Sequence, residues 1–156
     1  MAKIVQFVGL VAIGLAVAAG PALSFGGGSS VPPPDPNYTK ARSLIDAGSY
    51  AEAIPLLEKV VVAQPKSADA FNHLGYSHRK IGQIDAAFRN YRRALELQPK
   101  HLGANEYLGE LYLELGELSK AEERLDVLDD ACFFGCEEYS ELKELIEDYK
   151  KRQGTS

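Results

Sequence analysis

The sequence predicts an all-α protein, a superhelical array of three helix-turn-helix repeats followed by a C-terminal capping helix. The main observation is a fixed interval, because several small residues recur every 34 positions. A period of this length indicates stacked two-helix units rather than a single globular core. The recurring sets are Gly48, Gly82 and Gly116; Ala53, Ala87 and Ala121; Ala41, Gly75 and Gly109; and Pro65 and Pro99.

Residues 1–24 have the pattern of a secretory signal peptide. Lys3 precedes an apolar run over residues 4–19, and a Gly-Pro pair and a small-residue stretch ending at Ser24 follow it. Charge, apolar run and small residues in this order are typical of a cleaved export signal. The apolar run is shorter than the roughly 20 residues that a membrane-spanning helix needs. We therefore expect a periplasmic or secreted protein without stable membrane insertion after cleavage.

Residues 25–37 are predicted to be a flexible linker. The segment reads FGGGSSVPPPDPN. Glycine and serine give the backbone freedom, and consecutive prolines favour the extended polyproline II conformation. The segment has too few apolar side chains to order itself by burial. It is expected to tether the folded array to the signal segment.

Three helical pairs follow the linker. Within each pair, the recurring glycine permits the tight turn between the two helices. Ser49 with Glu52, and Ser119 with Glu122, have the spacing of a capping box at the start of a second helix. The pairs are predicted over residues 38–67, 68–101 and 102–131.

Residues 137–152 are predicted to form the capping helix. Its apolar stripe consists of Leu142, Leu145, Ile146 and Tyr149. Acidic residues at its start and basic residues at its end suit the helix dipole. Repeat arrays need such a terminal element to cover the last repeat.

Charge and motif content limit the possible functions. The formal net charge is −5, which argues against nucleic-acid binding through phosphate contacts. The charge is uneven, since residues 105–148 hold fifteen acidic and three basic side chains. The sequence contains no haem, zinc, phosphate-loop or nucleophile-elbow motif. We therefore predict no catalytic residues, no metal site, no cofactor and no enzymatic activity.

Leu74-Gly75-Tyr76, followed by Gly82 and Ala87, resembles the tetratricopeptide repeat (TPR) family, and the likeness extends over about residues 35–131. The resemblance implies a concave groove, lined by the first helix of each repeat, that binds a peptide or a partner protein. The family's main groove positions correspond to Tyr38, Arg42, Asn72, His73, Tyr76, Arg79, Tyr107 and Glu110. Thr39, Lys80 and Glu106 stand beside them.

Cys132 and Cys136, in the segment 132–136, are the two cysteines of the chain. In an exported chain, an isolated pair is first interpreted as a disulfide. It would fasten the capping helix to the third repeat. Soft thiolates favour copper(I), so a metal or redox site is an alternative, and free thiols are another.

The sequence thus predicts an exported TPR adaptor or scaffold that binds a peptide or partner protein in its groove. The alternative is a thiol-dependent copper carrier or redox factor that uses Cys132 and Cys136. The prediction leaves open whether the chain forms a homo-oligomer.

Overall fold

The computed structural model describes residues 35–154. The predicted signal peptide and residues 25–34 of the predicted linker lie outside this range. The described part is built from seven α-helices without strands, which confirms the predicted all-α array. Between residues 35 and 154, no helix has the length and apolar character needed to cross a membrane. The helices are α1 (Pro36–Asp46), α2 (Tyr50–Ala63), α3 (Ala68–Lys80), α4 (Ile84–Leu97), α5 (Leu102–Glu114), α6 (Leu118–Ala131) and α7 (Glu137–Gln153).

The helix boundaries follow the sequence period. The second helices α2, α4 and α6 are each 14 residues long and begin at equivalent positions. The first helix is an exception at its start, because α1 begins at Pro36 rather than Tyr38. Asp35 causes the difference, since its carboxylate accepts a hydrogen bond from the Asn37 backbone N–H at 2.7 Å. This cap extends the helix into the last residues of the predicted linker.

The three recurring glycines occupy equivalent bends, as the period predicts. Gly48, Gly82 and Gly116 have φ angles of 75°, 77° and 77°, in the left-handed region that side chains disfavour. After each glycine, the next backbone N–H donates to a carbonyl five residues back, at 2.8 Å in all three turns. This is the Schellman arrangement, which satisfies the last carbonyls of the first helix. One local geometry therefore sets the angle within every hairpin.

The predicted capping boxes are wrong. Ser49 is the N-cap of α2, but its side chain makes no capping hydrogen bond. Its backbone already donates in the Schellman turn, and its ψ of 55° departs from the extended N-cap conformation. Ser119 lies inside α6, whose N-cap is Glu117. The 34-residue period itself aligns Glu117, not Ser119, with Ser49.

His101 links two repeats at the start of α5. Its Nδ1 accepts a hydrogen bond from the Ala104 backbone N–H at 3.1 Å, so it serves as the N-cap. Its Nε2 lies 3.0 Å from Oδ1 of Asp69 in the first turn of α3. Because Nδ1 accepts, Nε2 carries the proton and donates it to Asp69. The start of α5 is thereby fixed to the start of α3.

The core lies between consecutive helices, in a series of clusters. Each helix contacts the next helix or the next but one within the described chain. This nearest-neighbour packing is characteristic of repeat arrays. The principal clusters are Ala41, Ala53, Leu57 and Leu74; Ala87, Tyr91, Leu108 and Leu111; and Ala121, Leu128, Leu142 and Ile146.

Helix α7 packs against α5 and α6, as the capping prediction requires. Leu142 and Ile146 of the predicted stripe are buried in the third cluster. Leu145 departs from the prediction, because 39% of its surface is exposed. Leu142 stands one period after Leu108, which itself stands one period after Leu74. Helix α7 therefore occupies the place that the first helix of a fourth repeat would take.

Candidate functional site

The first helices of the three repeats, α1, α3 and α5, form an open surface that we call the wall. The wall contains a depression of about 370 Å³. The depression, here called the aromatic depression, combines residues from α1, α2, α3 and α5. It brings together four of the predicted groove residues, and three further residues join them. The lining residues are Arg42, Ile45, Asp46, Tyr50, His73, Tyr76 and Tyr107.

A row of tyrosines crosses the aromatic depression from the first repeat to the third. The ring centroids of Tyr50 and Tyr76 are 5.8 Å apart, and those of Tyr76 and Tyr107 are 4.8 Å apart. The ammonium group of Lys80 lies 5.9 Å and 5.7 Å from the Tyr50 and Tyr76 centroids. Burial raises the pKa of Tyr76, and it raises the pKa of Tyr107 to about 12. These hydroxyl groups therefore remain protonated donors at neutral pH.

Tyr38 does not line the aromatic depression, although it was predicted to contribute to the groove. Its hydroxyl lies 3.1 Å from Nδ1 of His73, and the two rings meet edge to face. Nδ1 of His73 also lies 2.8 Å from the Asp69 carbonyl oxygen, to which it donates. Burial lowers the pKa of His73, so the ring is neutral at pH 7. Tyr38 thus orients His73, and Tyr50 takes the place expected for Tyr38.

Arg79 and Glu110 form an ion pair with each other. The resemblance implied instead that both side chains would be available to a ligand in the groove. Arg79 Nη1 is 2.5 Å from a Glu110 oxygen, and Nη2 is 2.5 Å from a Glu114 oxygen. Burial lowers the pKa of Arg79, but the hydrogen bonds and charges of Glu114 and Glu110 raise it above its ordinary value. The guanidinium is therefore charged, and it joins the second and third repeats.

Asn72 is removed from the exposed wall by burial. Only 4% of its surface is accessible, and its side chain lies between α3 and α5 beside Gly103. The Asn72 Oδ1 atom has no hydrogen-bond partner among the described residues. The prediction that Asn72 faces the groove is therefore corrected. The chain packs it there because Gly103 leaves room for the amide.

A second depression, of about 290 Å³, lies where α5 meets α7. Four carboxyl side chains and the ring of Tyr107 line it, so we call it the acidic depression. Tyr107 belongs to both depressions and joins them. The sequence predicts Glu106 beside the groove, but it does not predict the residues that α7 contributes. The lining residues are Glu106, Tyr107, Glu137, Glu138 and Glu141.

The cysteine pair lies apart from the wall, between α6 and α7. The Sγ atoms of Cys132 and Cys136 are 2.01 Å apart, at the distance of a disulfide. The loop between them exposes Phe133 and Phe134, each by more than 90%. Among residues 35–154, no cluster of three or more His, Cys, Asp or Glu side chains is placed to hold a metal ion.

Helical hairpins with a 34-residue period, equivalent glycine bends and a wall of first helices define a tetratricopeptide repeat array. A family model agrees with this class. The model described as "Anaphase-promoting complex, cyclosome, subunit 3" matches residues 46–128. The chain belongs to this tetratricopeptide repeat family.

Two curated relatives are similar over part of their length. "General transcription factor 3C polypeptide 3" of Homo sapiens is 31% identical in an alignment 98 residues long, which covers 58% of this chain and 10% of that protein. "Probable biofilm formation methyltransferase WspC" of Pseudomonas aeruginosa is 32% identical over 90 residues, which are 58% of this chain and 21% of that protein. The matched segment therefore spans only a small part of either relative.

Solved structures with the same fold include the type III secretion translocator chaperone SycD of Yersinia enterocolitica. This chaperone has a TM-score of 0.68 and 21% identity, covering 76% of this chain and 83% of the chaperone chain. A structure of SycD in complex with a peptide of the translocator YopD has a TM-score of 0.65 and 22% identity, covering 75% of this chain and 92% of the other. At these identities the likeness concerns the fold.

Proposed function

We propose that this protein is an exported adaptor that binds an extended peptide, or a helix of a partner protein, along the wall of first helices. The observation that carries the proposal is the row formed by Tyr50, Tyr76 and Tyr107, which spans three repeats on an open surface. The complex of SycD with a peptide of YopD supports the proposal, because it is a chain of this fold that binds a peptide. Export rests on the pattern of residues 1–24.

The chemistry of the wall suits a peptide. The tyrosine rings offer apolar area with few side-chain torsions to restrict, and their hydroxyl groups can donate to backbone carbonyls. Arg42 is exposed and lines the aromatic depression, so it can pair with a carboxylate of the ligand. Arg79 and Glu110 contribute by holding the second and third repeats in a fixed arrangement rather than by contacting the ligand.

Replacing Tyr76 and Tyr107 together by alanine is expected to weaken peptide binding by about thirtyfold, or about 2 kcal/mol, because two ring contacts disappear. The ligand is the best peptide selected by the wild-type protein from a random library, and calorimetry measures its Kd. Phe134→Ala is the control, since it removes an exposed aromatic ring outside the wall. The proposal fails if the double variant keeps the wild-type Kd, or if Phe134→Ala causes the loss instead.

The rival function, a copper carrier or redox factor, requires free thiolates at Cys132 and Cys136. The sulfur atoms lie at disulfide distance, and a disulfide offers no thiolate to a metal. We therefore favour a structural bond, which in so short a loop contributes about 2 kcal/mol.

Protein purified from an oxidising compartment is expected to show no free thiols when unfolded, and two thiols after reduction. Ellman titration under denaturing conditions measures both values. Two thiols before reduction would exclude the disulfide. After reduction, stoichiometric copper(I) binding that is lost in Cys132→Ser/Cys136→Ser would support the carrier, whereas equal weak binding by both proteins would argue against it.

A further inference from the structure

We propose that the acidic depression binds an arginine side chain of the peptide that occupies the wall. This inference rests on the proposed function, because Tyr107 lines both the acidic and the aromatic depression. A peptide that contacts the tyrosine row therefore reaches the carboxyl groups of α5 and α7 with a neighbouring residue. The ligand class is thus a peptide with an arginine next to its wall-binding segment.

The main observation concerns Glu106, a buried residue whose carboxyl group meets other carboxyl groups rather than a cation. Only 4% of its surface is exposed, and it lines the acidic depression. Within residues 35–154, it pairs with no Lys, Arg or His, and its hydrogen-bonding neighbour is another carboxyl group, that of Glu141. Burying a carboxyl without an N–H donor or a cation is unfavourable. A cation supplied by a ligand would stabilise the carboxylate form of Glu106.

The arrangement fits a guanidinium better than an ammonium group. Glu106 and Glu141 offer adjacent carboxyl oxygens, and a guanidinium can bind two such acceptors through its planar fork. The ring of Tyr107 forms another part of the lining, on which a guanidinium can stack. Glu137 and Glu138 complete the negative surface. The acidic excess over residues 105–148 also attracts cationic ligands from a distance.

The protonation of Glu106 supports this assignment. Burial first, and then hydrogen bonding to Glu141, raise the pKa of Glu106 to about 9. The other charged groups facing it are Glu110 of α5 itself and Glu138 of α7, which raise the pKa further. Glu106 is thus protonated at pH 7, and a bound guanidinium favours its carboxylate form. Binding therefore releases a proton, so affinity rises with pH up to about pH 9.

The test uses two blocked tripeptides, Ala-Arg-Ala and Ala-citrulline-Ala, each acetylated and amidated. Citrulline keeps the shape of arginine but lacks its charge. Backbone amide shifts of α5 and α7, followed by NMR at pH 6, 7 and 8, report binding. We expect saturable shifts with the arginine peptide, at least about tenfold weaker binding with citrulline, and tighter arginine binding at each higher pH.

Two double variants separate this site from general charge attraction. Glu138→Gln/Glu141→Gln removes two charges from the acidic depression, and we expect about tenfold weaker arginine binding. Glu144→Gln/Glu147→Gln removes two charges from exposed positions of the same helix, and we expect no change. Equal binding of both tripeptides, equal losses in both variants, or affinity that does not rise with pH would each overturn the inference.

Tyr76→Ala distinguishes this inference from the proposed function. Tyr76 lines the aromatic depression but not the acidic one. If the wall binds peptides, Tyr76→Ala weakens the library-selected peptide and leaves the arginine tripeptide unaffected. If Tyr76→Ala leaves the selected peptide unaffected while the tripeptide still needs Glu138 and Glu141, the wall proposal fails and the arginine site stands.

Discussion

Replacing Leu142 by alanine is expected to lower the free energy of unfolding by about 3 kcal/mol. Leu142 is completely buried, and it packs in the cluster that contains Ala121, Leu128 and Ile146. Truncation loses the burial of its methyl groups and leaves a cavity between α5, α6 and α7. Urea denaturation followed by circular dichroism measures the change.

Leu145→Ala is the matched control for this prediction. Leu145 lies on the same helix three residues later, but 39% of its surface is exposed. Its truncation is expected to cost less than about 1 kcal/mol, since little apolar surface returns to water. If Leu142→Ala and Leu145→Ala destabilise the protein equally, burial of Leu142 in the third cluster is not what holds α7 on the array.

Gly109 provides a second check on the same contact. A Cβ atom at Gly109 would lie 2.5 Å and 2.9 Å from the two terminal methyl carbons of Leu142. Gly109→Ala alone is therefore expected to destabilise the protein by overpacking. In the Leu142→Ala background the methyl groups are gone, so Gly109→Ala should cost less there. Strict additivity of the two substitutions would contradict the close approach of α5 and α7.

Arg79→Met is expected to be the second most destabilising change, at about 2 kcal/mol. The Arg79 side chain is 10% exposed and the Glu110 side chain is 19% exposed, so the substitution leaves a largely buried carboxylate without its cation. The loss is smaller than for a fully buried pair, because Glu114 is 51% exposed and water screens it. Thermal and urea unfolding measure the effect.

Arg93→Met is the control for the ion pair. Arg93 binds Glu96 on the same helix, and both side chains are largely in solvent, at 46% and 64% exposure. Such a pair contributes about 0.5 kcal/mol or less. Adding Glu110→Gln to Arg79→Met is expected to restore part of the stability, because it removes the unpaired charge. If Arg79→Met is as mild as Arg93→Met, the pair does not hold the second and third repeats together.

The fold could be predicted from the sequence because the same physical requirement appears three times. A left-handed bend needs glycine, and Gly48, Gly82 and Gly116 meet that requirement at one interval. The local motif predicted capping boxes that the structure does not contain, because the Schellman turn already fixes the backbone at the N-cap position. The 34-residue period aligns Glu117 with Ser49, and so it would have shown that Ser119 is not the N-cap of α6.

Part of the candidate site could be predicted, namely the side chains that the first helices present to the wall. Tyr76 and Tyr107 are of this kind. Tyr50 could not be foreseen, because it begins a second helix and its equivalents in the other repeats, Ile84 and Leu118, are aliphatic. Only the packing of hairpins brings its ring to Tyr76.

The partners of the polar residues depend on tertiary structure that no spacing specifies. Arg79 meets Glu110 and Glu114 across a repeat boundary, and His101, the N-cap of α5, meets Asp69 in the first turn of α3. The acidic depression also requires the placement of α7. One signal for that placement exists in the sequence, since Leu142 continues the 34-residue series of Leu74 and Leu108.

The nearest-neighbour packing has a consequence for how the chain reaches its native state. Because each helix touches only the next helix or the next but one within the described chain, closing a hairpin brings together segments that are already close along the chain. Topologies with such local contacts form quickly, since little loop entropy is lost before a contact is made. An incomplete polypeptide emerging during synthesis therefore contains every partner that its first hairpin needs, and later hairpins can assemble on that template one after another.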